Sequence, residues 1–258
     1  MTSFRPLSVR GSTLGNGREP AICLSLMTAD LTTLDSDVRA LLALSPDVIE
    51  WRVDHFRAVN SVDTVFEAAA RLRKAAGELP LIFTLRSELE GGAKTGLEPS
   101  VVGEWLARAA ESKRFEFIDV ELSLPATIIK LVIDRAHQSG TQVIVSSHHF
   151  DRTPSEEEII GLLARAADVG ADVAKVAVMP ETVADVIRLL SATERASREL
   201  SLPLITMAMG SLGVISRVFG NLFGSALTFA AGEKSSAPGQ LPIGALKEIL
   251  AAVRQLEK

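Results

Sequence analysis

Cysteine is almost missing from this chain: among 258 residues only Cys23 occurs. One thiol can form neither an intrachain disulfide nor a cysteine-rich metal site, which points to a reducing compartment such as the cytoplasm. A basic excess is lacking too. Lys and Arg number 27 against 32 Asp and Glu, a net charge of -5, so no nucleic-acid or anionic-membrane partner is expected. A small anionic ligand is still compatible, because a few local arginines suffice to hold one. No stretch approaches the roughly 20 apolar residues that cross a bilayer. The first twenty residues, MTSFRPLSVRGSTLGNGREP, lack the apolar centre of a secretory leader. The expectation is a soluble protein. Linkers and low-complexity tracts are absent as well, so residues 1–258 read as one domain.

What the chain does have is short β-rich runs in series. They are AICLSLM from Ala21, DVIEWRVD from Asp47, LPLIFTLR from Leu79 and FEFIDVEL from Phe115. TQVIVSS from Thr141, DVAKVAVM from Asp172, LPLITMAM from Leu202 and a weaker ALTFAA from Ala226 follow. Their spacing of roughly 25 to 35 residues is that of a βα unit. Helical patterns fill the intervals. VDTVFEAAARLRKAAGEL puts Val65, Ala69, Leu72 and Ala76 on one face and ends near Gly77. TPSEEEIIGLLARAADVG fits a capping box with Thr153 as N-cap, Pro154 at the first helical position and Glu156 three residues after the cap. Eight such units predict a (β/α)8 TIM barrel. A doubly wound sheet would carry a glycine-rich turn after its first strand, and SLMTADLTTLDSD has none. Upstream, PLSVRGSTLGNGREP reads as a short β-hairpin turning through Gly15, Asn16 and Gly17, placed to cap the barrel floor.

Barrels of this kind place their chemistry at the C-terminal ends of the strands. Glu50, Arg52 and Asp54 alternate in EWRVDHF and therefore share one side of the second strand. An inward Glu–Arg pair there serves either a ligand or a buried salt bridge. Arg86 ends the third strand, with Glu90 in the loop beyond it, and Asp119 and Glu121 share a face of the fourth. In SSHHF, His148 and His149 point to opposite sides, so one of them at most faces the mouth. His55 is placed similarly after the second strand, and His137 lies on a helix. No HxH or HExxH spacing supports a metal site.

Lys175 is the sharpest signal, because it interrupts the apolar run DVAKVAVMP. It either snorkels to the barrel rim or serves as a Schiff-base nucleophile. A desolvated amine near other cations has a lowered pKa, and Arg52, Arg86 and Arg217 are candidate cations. The Gly/Ser-rich loops GSLGVISRVFG and GEKSSAPGQLP follow the last two strands, where barrels bind phosphate or carboxylate.

EWRVDHF, FTLRSELEGG, SSHHF followed by DRTPS, AKVAVMP, ITMAMGSLGVISR and SSAPGQLP occur in this order. With them the chain closely resembles the type I 3-dehydroquinate dehydratases, from about Ser25 to Gln240. The resemblance implies a homodimeric barrel that needs no metal or nucleotide and acts on 3-dehydroquinate. It implies that Lys175 forms an imine with the substrate ketone, that His148 is the general acid/base and that Glu90 orients it. Glu50, Arg52 and Arg86 would meet ring hydroxyls. Arg217, Ser236 and Gln240 would hold the carboxylate side and close over the ligand, with Ser25 lining the pocket. Two positions depart from the family pattern: His149 stands where an acidic residue usually follows the histidine, and Ser147 where asparagine is common. The enzymatic alternative is another lysine-dependent barrel lyase such as a class I aldolase. From a different class, a catalytically silent metabolite-binding barrel is the rival.

Overall fold

The computed structural model describes residues 5–9, 12–14 and 19–255. It opens with an antiparallel pair, β1 (Leu7–Val9) and β2 (Ser12–Leu14). Eight strands and eight helices then alternate, beginning β3 (Ala21–Leu26), α1 (Leu31–Ala43), β4 (Val48–Arg52), α2 (Val62–Ala76). They continue β5 (Leu81–Thr84), α3 (Pro99–Glu111), β6 (Phe117–Glu121), α4 (Ala126–Ser139), β7 (Gln142–His149) and α5 (Glu156–Asp168). The last are β8 (Val173–Val178), α6 (Val183–Glu199), β9 (Leu204–Ala208), α7 (Val214–Phe219), β10 (Leu227–Ala230) and α8 (Ile243–Gln255). All neighbours in the series β10-β3-β4-β5-β6-β7-β8-β9 pair in parallel. The seam between β9 and β10 is closed by a Leu204–Ser225 bridge and by the Ala226 N–H donating to the Leu204 carbonyl at 2.7 Å. The Ser225 hydroxyl accepts the Thr206 N–H there at 3.0 Å, standing in for a ladder bond. The result is the (β/α)8 TIM barrel that the spacing predicts.

Residue parity along each strand separates two apolar layers. Ile49, Trp51, Phe83, Ile118, Val145 and Val176 pack outward against the helices. Val48, Ile82, Phe117, Ile144, Val173, Ile205 and Leu227 form a second cluster on the barrel axis. Higher on the same inward rows stand buried Glu50, Thr84, Asp119, Ser146 and Lys175. The floor is therefore dry and the mouth charged.

Three carboxylates finish the floor. Asp47, Glu116 and Asp172 each stand one residue before a strand, and they accept the N–H groups of Ile22, Leu81 and Val143 at 2.7–2.8 Å. His137, on α4, also meets Asp172, at 2.9 Å, as a half-exposed partner of that carboxylate.

The hairpin covers the floor as expected: Leu7 and Val9 are buried in the axial cluster, and the Ser8 carbonyl accepts from Gln142 Nε2 at 2.8 Å. Val9 pairs with Ser12, while Gly15, Asn16 and Gly17, through which the turn was expected, lie outside the described residues. This register puts Leu7 opposite Leu14 and turns both toward the same apolar layer. The capping box of α5 is corrected, by two residues. Ser155 is the N-cap and exchanges bonds with Glu158, while the Thr153 hydroxyl donates to the Met179 carbonyl at 2.9 Å. Both triplets satisfy the S/T-x-x-E pattern; the contact with the end of β8 decides between them. Among the described residues no helix is long and apolar enough to cross a membrane.

Candidate active site

The pocket at the C-terminal mouth is built around Lys175. Its side chain is 4% exposed, and Nζ donates to Asp119 Oδ2 at 2.9 Å. Glu50 Oε1 lies 3.6 Å away, and the ammonium sits 4.8 Å from the centre of the Phe229 ring. Of the cations expected beside it, Arg52 and Arg217 are engaged elsewhere, whereas Arg86 shares Asp119 with it. Arg52 pairs with Asp54, Arg86 with Asp119 and Glu121, and Arg217 donates to the Pro238 carbonyl. The immediate surroundings of Lys175 are thus anionic and aromatic, because β6 and β4 turn carboxylates toward the axis at its level.

His148 faces the pocket from β7, next to β8. Ser146 stands opposite Lys175 and His148 opposite Ala177, so the imidazole lies one inward step above the ammonium. Its Nδ1 meets Glu90 Oε2 at 2.8 Å, and its backbone N–H donates to the same oxygen at 3.0 Å. This leaves Nε2 as the nitrogen without a partner among the described residues. Burial first, then the positive charges of Arg86 and Lys175, push His148 well below the usual histidine range. Burial and the neighbouring Glu121 raise Glu90 to about 7. Glu90 sits in a single 3₁₀ turn, Glu88–Glu90, capped by Ser87. That turn closes tightly: a Cβ on Gly92 would stand 2.1 Å from the Arg86 carbonyl oxygen, so only glycine fits. His149, on the opposite side of β7, lies in an outer groove with Arg152, Glu158 and Arg165. Strand parity therefore settles which histidine enters the site.

Arg86 is buried and held by three carboxylates, Asp119 at 2.8 Å, Glu121 at 3.1 Å and Glu90 at 3.7 Å. Arg217, from the short α7, is different. Its side chain is buried, yet Nε and Nη1 have no hydrogen-bond partner among the described residues. Burial alone lowers its pKa to about 10. An unsatisfied buried guanidinium implies a ligand acceptor.

Its remaining nitrogen, Nη2, donates at 3.1 Å to Pro238 in the loop between β10 and α8. That loop lies across the mouth. Gln240 Nε2 donates to Ser236 Oγ, which donates to Ser25 Oγ, each at 2.9 Å, and Ser25 donates to Glu50 Oε2 at 2.7 Å.

The pocket therefore brings together Glu50, Arg52, Arg86, Glu90, His148, Lys175, Arg217, Ser236 and Gln240. Ser25 is the exception. It borders a neighbouring cleft under the loop and reaches the site only through Ser236 and Glu50. Asp54 is displaced as well: β4 ends at Arg52, and Asp54 sits in a 3₁₀ turn, Val53–His55, with its carboxylate behind the arginine. His55 stands at that turn, 3.5 Å from Asp54, and does not line the pocket.

Several contributors escape sequence reasoning. Ser123 donates to Glu90 Oε1 at 2.7 Å, and Ser146 bridges Arg86 and Asp119. Phe150, Met207, Met209 and Phe229 form an apolar wall. Parity along β6 already turned Asp119 inward, but its contact with Lys175 spans two strands and has no local signature.

The type I 3-dehydroquinase family model matches residues 22–257. The chain is 42% identical over 253 residues to a 3-dehydroquinate dehydratase of Geobacillus sp. (strain WCH70), covering 98% of this chain and 97% of that protein. It is 40% identical over 256 residues to one of Salmonella paratyphi B, covering 98% and 100%. Its fold is similar to the crystal structure of 3-dehydroquinate dehydratase from Geobacillus kaustophilus, with a TM-score of 0.95, 40% identity and coverage of 100% and 99%. A type I enzyme from Clostridium difficile with covalently modified comenic acid aligns with a TM-score of 0.90 at 37% identity, covering 98% and 99%. On this pocket and these likenesses together, the chain belongs to the type I 3-dehydroquinase family.

Proposed function

We propose that the chain, acting as one barrel domain over residues 1–258, converts 3-dehydroquinate to 3-dehydroshikimate and water through an imine on Lys175, a hydro-lyase step of the shikimate pathway. The observation that carries the reading is a buried lysine sharing one pocket with a glutamate-held histidine and an unpaired buried arginine. Nζ attacks the substrate ketone, and the carbonyl oxygen leaves as water. The cationic imine draws electrons and makes the neighbouring C–H acidic. His148 Nε2 takes that proton, giving an enamine, and returns it to the departing ring hydroxyl. Water then hydrolyses the imine and frees Lys175.

Glu90 fixes the imidazole through Nδ1. Glu50, Arg52 and Arg86 receive the ring hydroxyls. Arg217 takes the carboxylate with the two nitrogens that have no partner among the described residues, and Ser236 and Gln240 close over it. Ser25 supports this closure by accepting from Ser236.

The dimer is part of the same reading. Val183 and Ile187 on α6, Leu212 just before α7 and Ile215 on it are exposed apolar side chains on adjoining elements, a face suited to a second copy.

Borohydride reduction in the presence of 3-dehydroquinate, followed by peptide mass spectrometry, tests the reaction. The expected adduct maps to Lys175, disappears in Lys175→Ala and survives in His148→Ala without turnover. An unmodified Lys175 peptide would sink the proposal, and an adduct formed only with sugar phosphates would favour an aldolase.

A further inference from the structure

Arg52 and Arg217 both face the pocket, but what stands behind them differs. Arg52 Nε donates to Asp54 Oδ1 at 2.9 Å and Nη2 to Oδ2 at 2.8 Å, a bidentate pair. The Asp54 side chain has no exposed surface. It also accepts the Ala93 N–H at 2.9 Å and the Arg86 N–H at 3.4 Å. One carboxylate thus ties the end of β4 to both sides of the 3₁₀ turn that carries Glu90. Arg52 Nη1 has no partner among the described residues. Burial favours the neutral acid, but the hydrogen bonds and charge of Arg52 outweigh it and keep Asp54 below the usual aspartate range.

A guanidinium paired in this way keeps its N–H directions and loses most of its pull on an anion. The field of the carboxylate cancels that of the cation over the distance of the next group. Arg217 has no carboxylate against it among the described residues, and its partner is a carbonyl. The two arginines therefore suit different ligand groups, a hydroxyl at Arg52 and an anion at Arg217.

We propose that Asp54 is a specificity-determining positioning residue: it fixes the Arg52 guanidinium and neutralises it, so that this end of the pocket takes a hydroxyl and turns away a second anionic group such as a phosphate. The consequence is selection for polyhydroxylated monocarboxylates over phosphorylated or dicarboxylate analogues. The inference rests on the proposed function only in taking Arg52 to meet the ligand.

Inorganic phosphate is the probe. Its binding to the folded protein is measured by calorimetry, and its inhibition of turnover is measured against 3-dehydroquinate. In Asp54→Asn, phosphate is expected to bind about tenfold or more tightly than to the parent and to compete with substrate. The double variant Arg52→Met/Asp54→Asn is expected to return to the parental phosphate affinity. Asp54→Glu keeps the charge, so it should raise KM through misplacement without gaining phosphate affinity. Should Asp54→Asn fail to fold, Asp54→Ser, which leaves room for water behind the guanidinium, carries the same expectation. Unchanged phosphate binding in the neutral variants, or a gain that persists without Arg52, overturns the proposal. A purely structural Asp54 would lower the melting temperature without creating an anion site. The borohydride adduct on Lys175 is read separately, so loss of the functional reading and loss of this inference are distinguishable.

Discussion

Glu90 and His148 meet across 2.8 Å, the carboxylate against Nδ1. Burial raises Glu90 to about 7 and holds His148 well below its ordinary range. As pH falls through about 7, Glu90 takes up a proton and the imidazole loses the carboxylate that makes it a better base. The acidic limb of kcat/KM is therefore expected near pH 7. Glu90→Gln should lower the plateau and move that limb to lower pH, because removing a carboxylate makes the histidine harder to protonate. A limb that stays in place would show that the pair does not set it.

Stability carries the opposite sign for the two groups. The raised Glu90 contributes stability at low pH that is lost as pH rises through about 7. The lowered His148 contributes above the ordinary histidine value, and that is lost as pH falls.

Arg217 illustrates a different trade. Its two unpartnered nitrogens penalise the empty protein and are satisfied only by ligand. Arg217→Met is expected to melt at a higher temperature than the parent while raising KM roughly 10- to 100-fold. A variant that loses stability with KM unchanged would mean that the arginine serves packing instead.

At the scale of elements, the loops after the strands hold the site while the strands aim it. The loop between β10 and α8 reaches the mouth only because Gly239 passes against Gly210. Gly239 has φ +79°, and a Cβ on it would stand 2.1 Å from the Gly210 oxygen. Gly239→Ala is expected to unseat Ser236 and Gln240, raising KM while the borohydride adduct on Lys175 still forms. Wild-type KM in that variant would show that the loop need not dock. The β5 loop works similarly: Ser87 caps the turn, glycines follow it, and Glu90 arrives beside β7. In both loops the close approach is one that only glycine permits.

The whole molecule divides its interior along the axis. The apolar floor, plugged by Leu7 and Val9, keeps water from entering below, and the charged groups gather where eight strand ends converge. That convergence lets carboxylates from β4 and β6 reach one lysine on β8. The outer surface carries the apolar face on α6 and α7. Ile187→Glu is expected to halve the sedimenting mass by placing a charge in an apolar interface. A parent that already sediments as a single protomer would refute the dimer reading.

Strand positions, the alternation of sides within each strand and the order of the motifs were determined by the amino-acid sequence alone, whereas Asp54, beyond the end of β4, leaves that alternation. Period-two alternation and βα spacing are local properties, so Glu50, Arg52 and Lys175 could be placed near the mouth without coordinates, whereas the choice of His148 over His149 came from the family resemblance. The capping residue of α5 was not legible, because two S/T-x-x-E triplets fit equally and the contact of Thr153 with the Met179 carbonyl chose between them. The partner of each charge was decided only by the tertiary structure. Asp119 lies 56 residues from Lys175 and Glu90 lies 58 from His148, and barrel closure and register alone bring them together. The same holds for what is missing: that among the described residues Arg217 alone of the pocket arginines has no carboxylate follows from the geometry of the eight strand ends, not from any stretch of the chain.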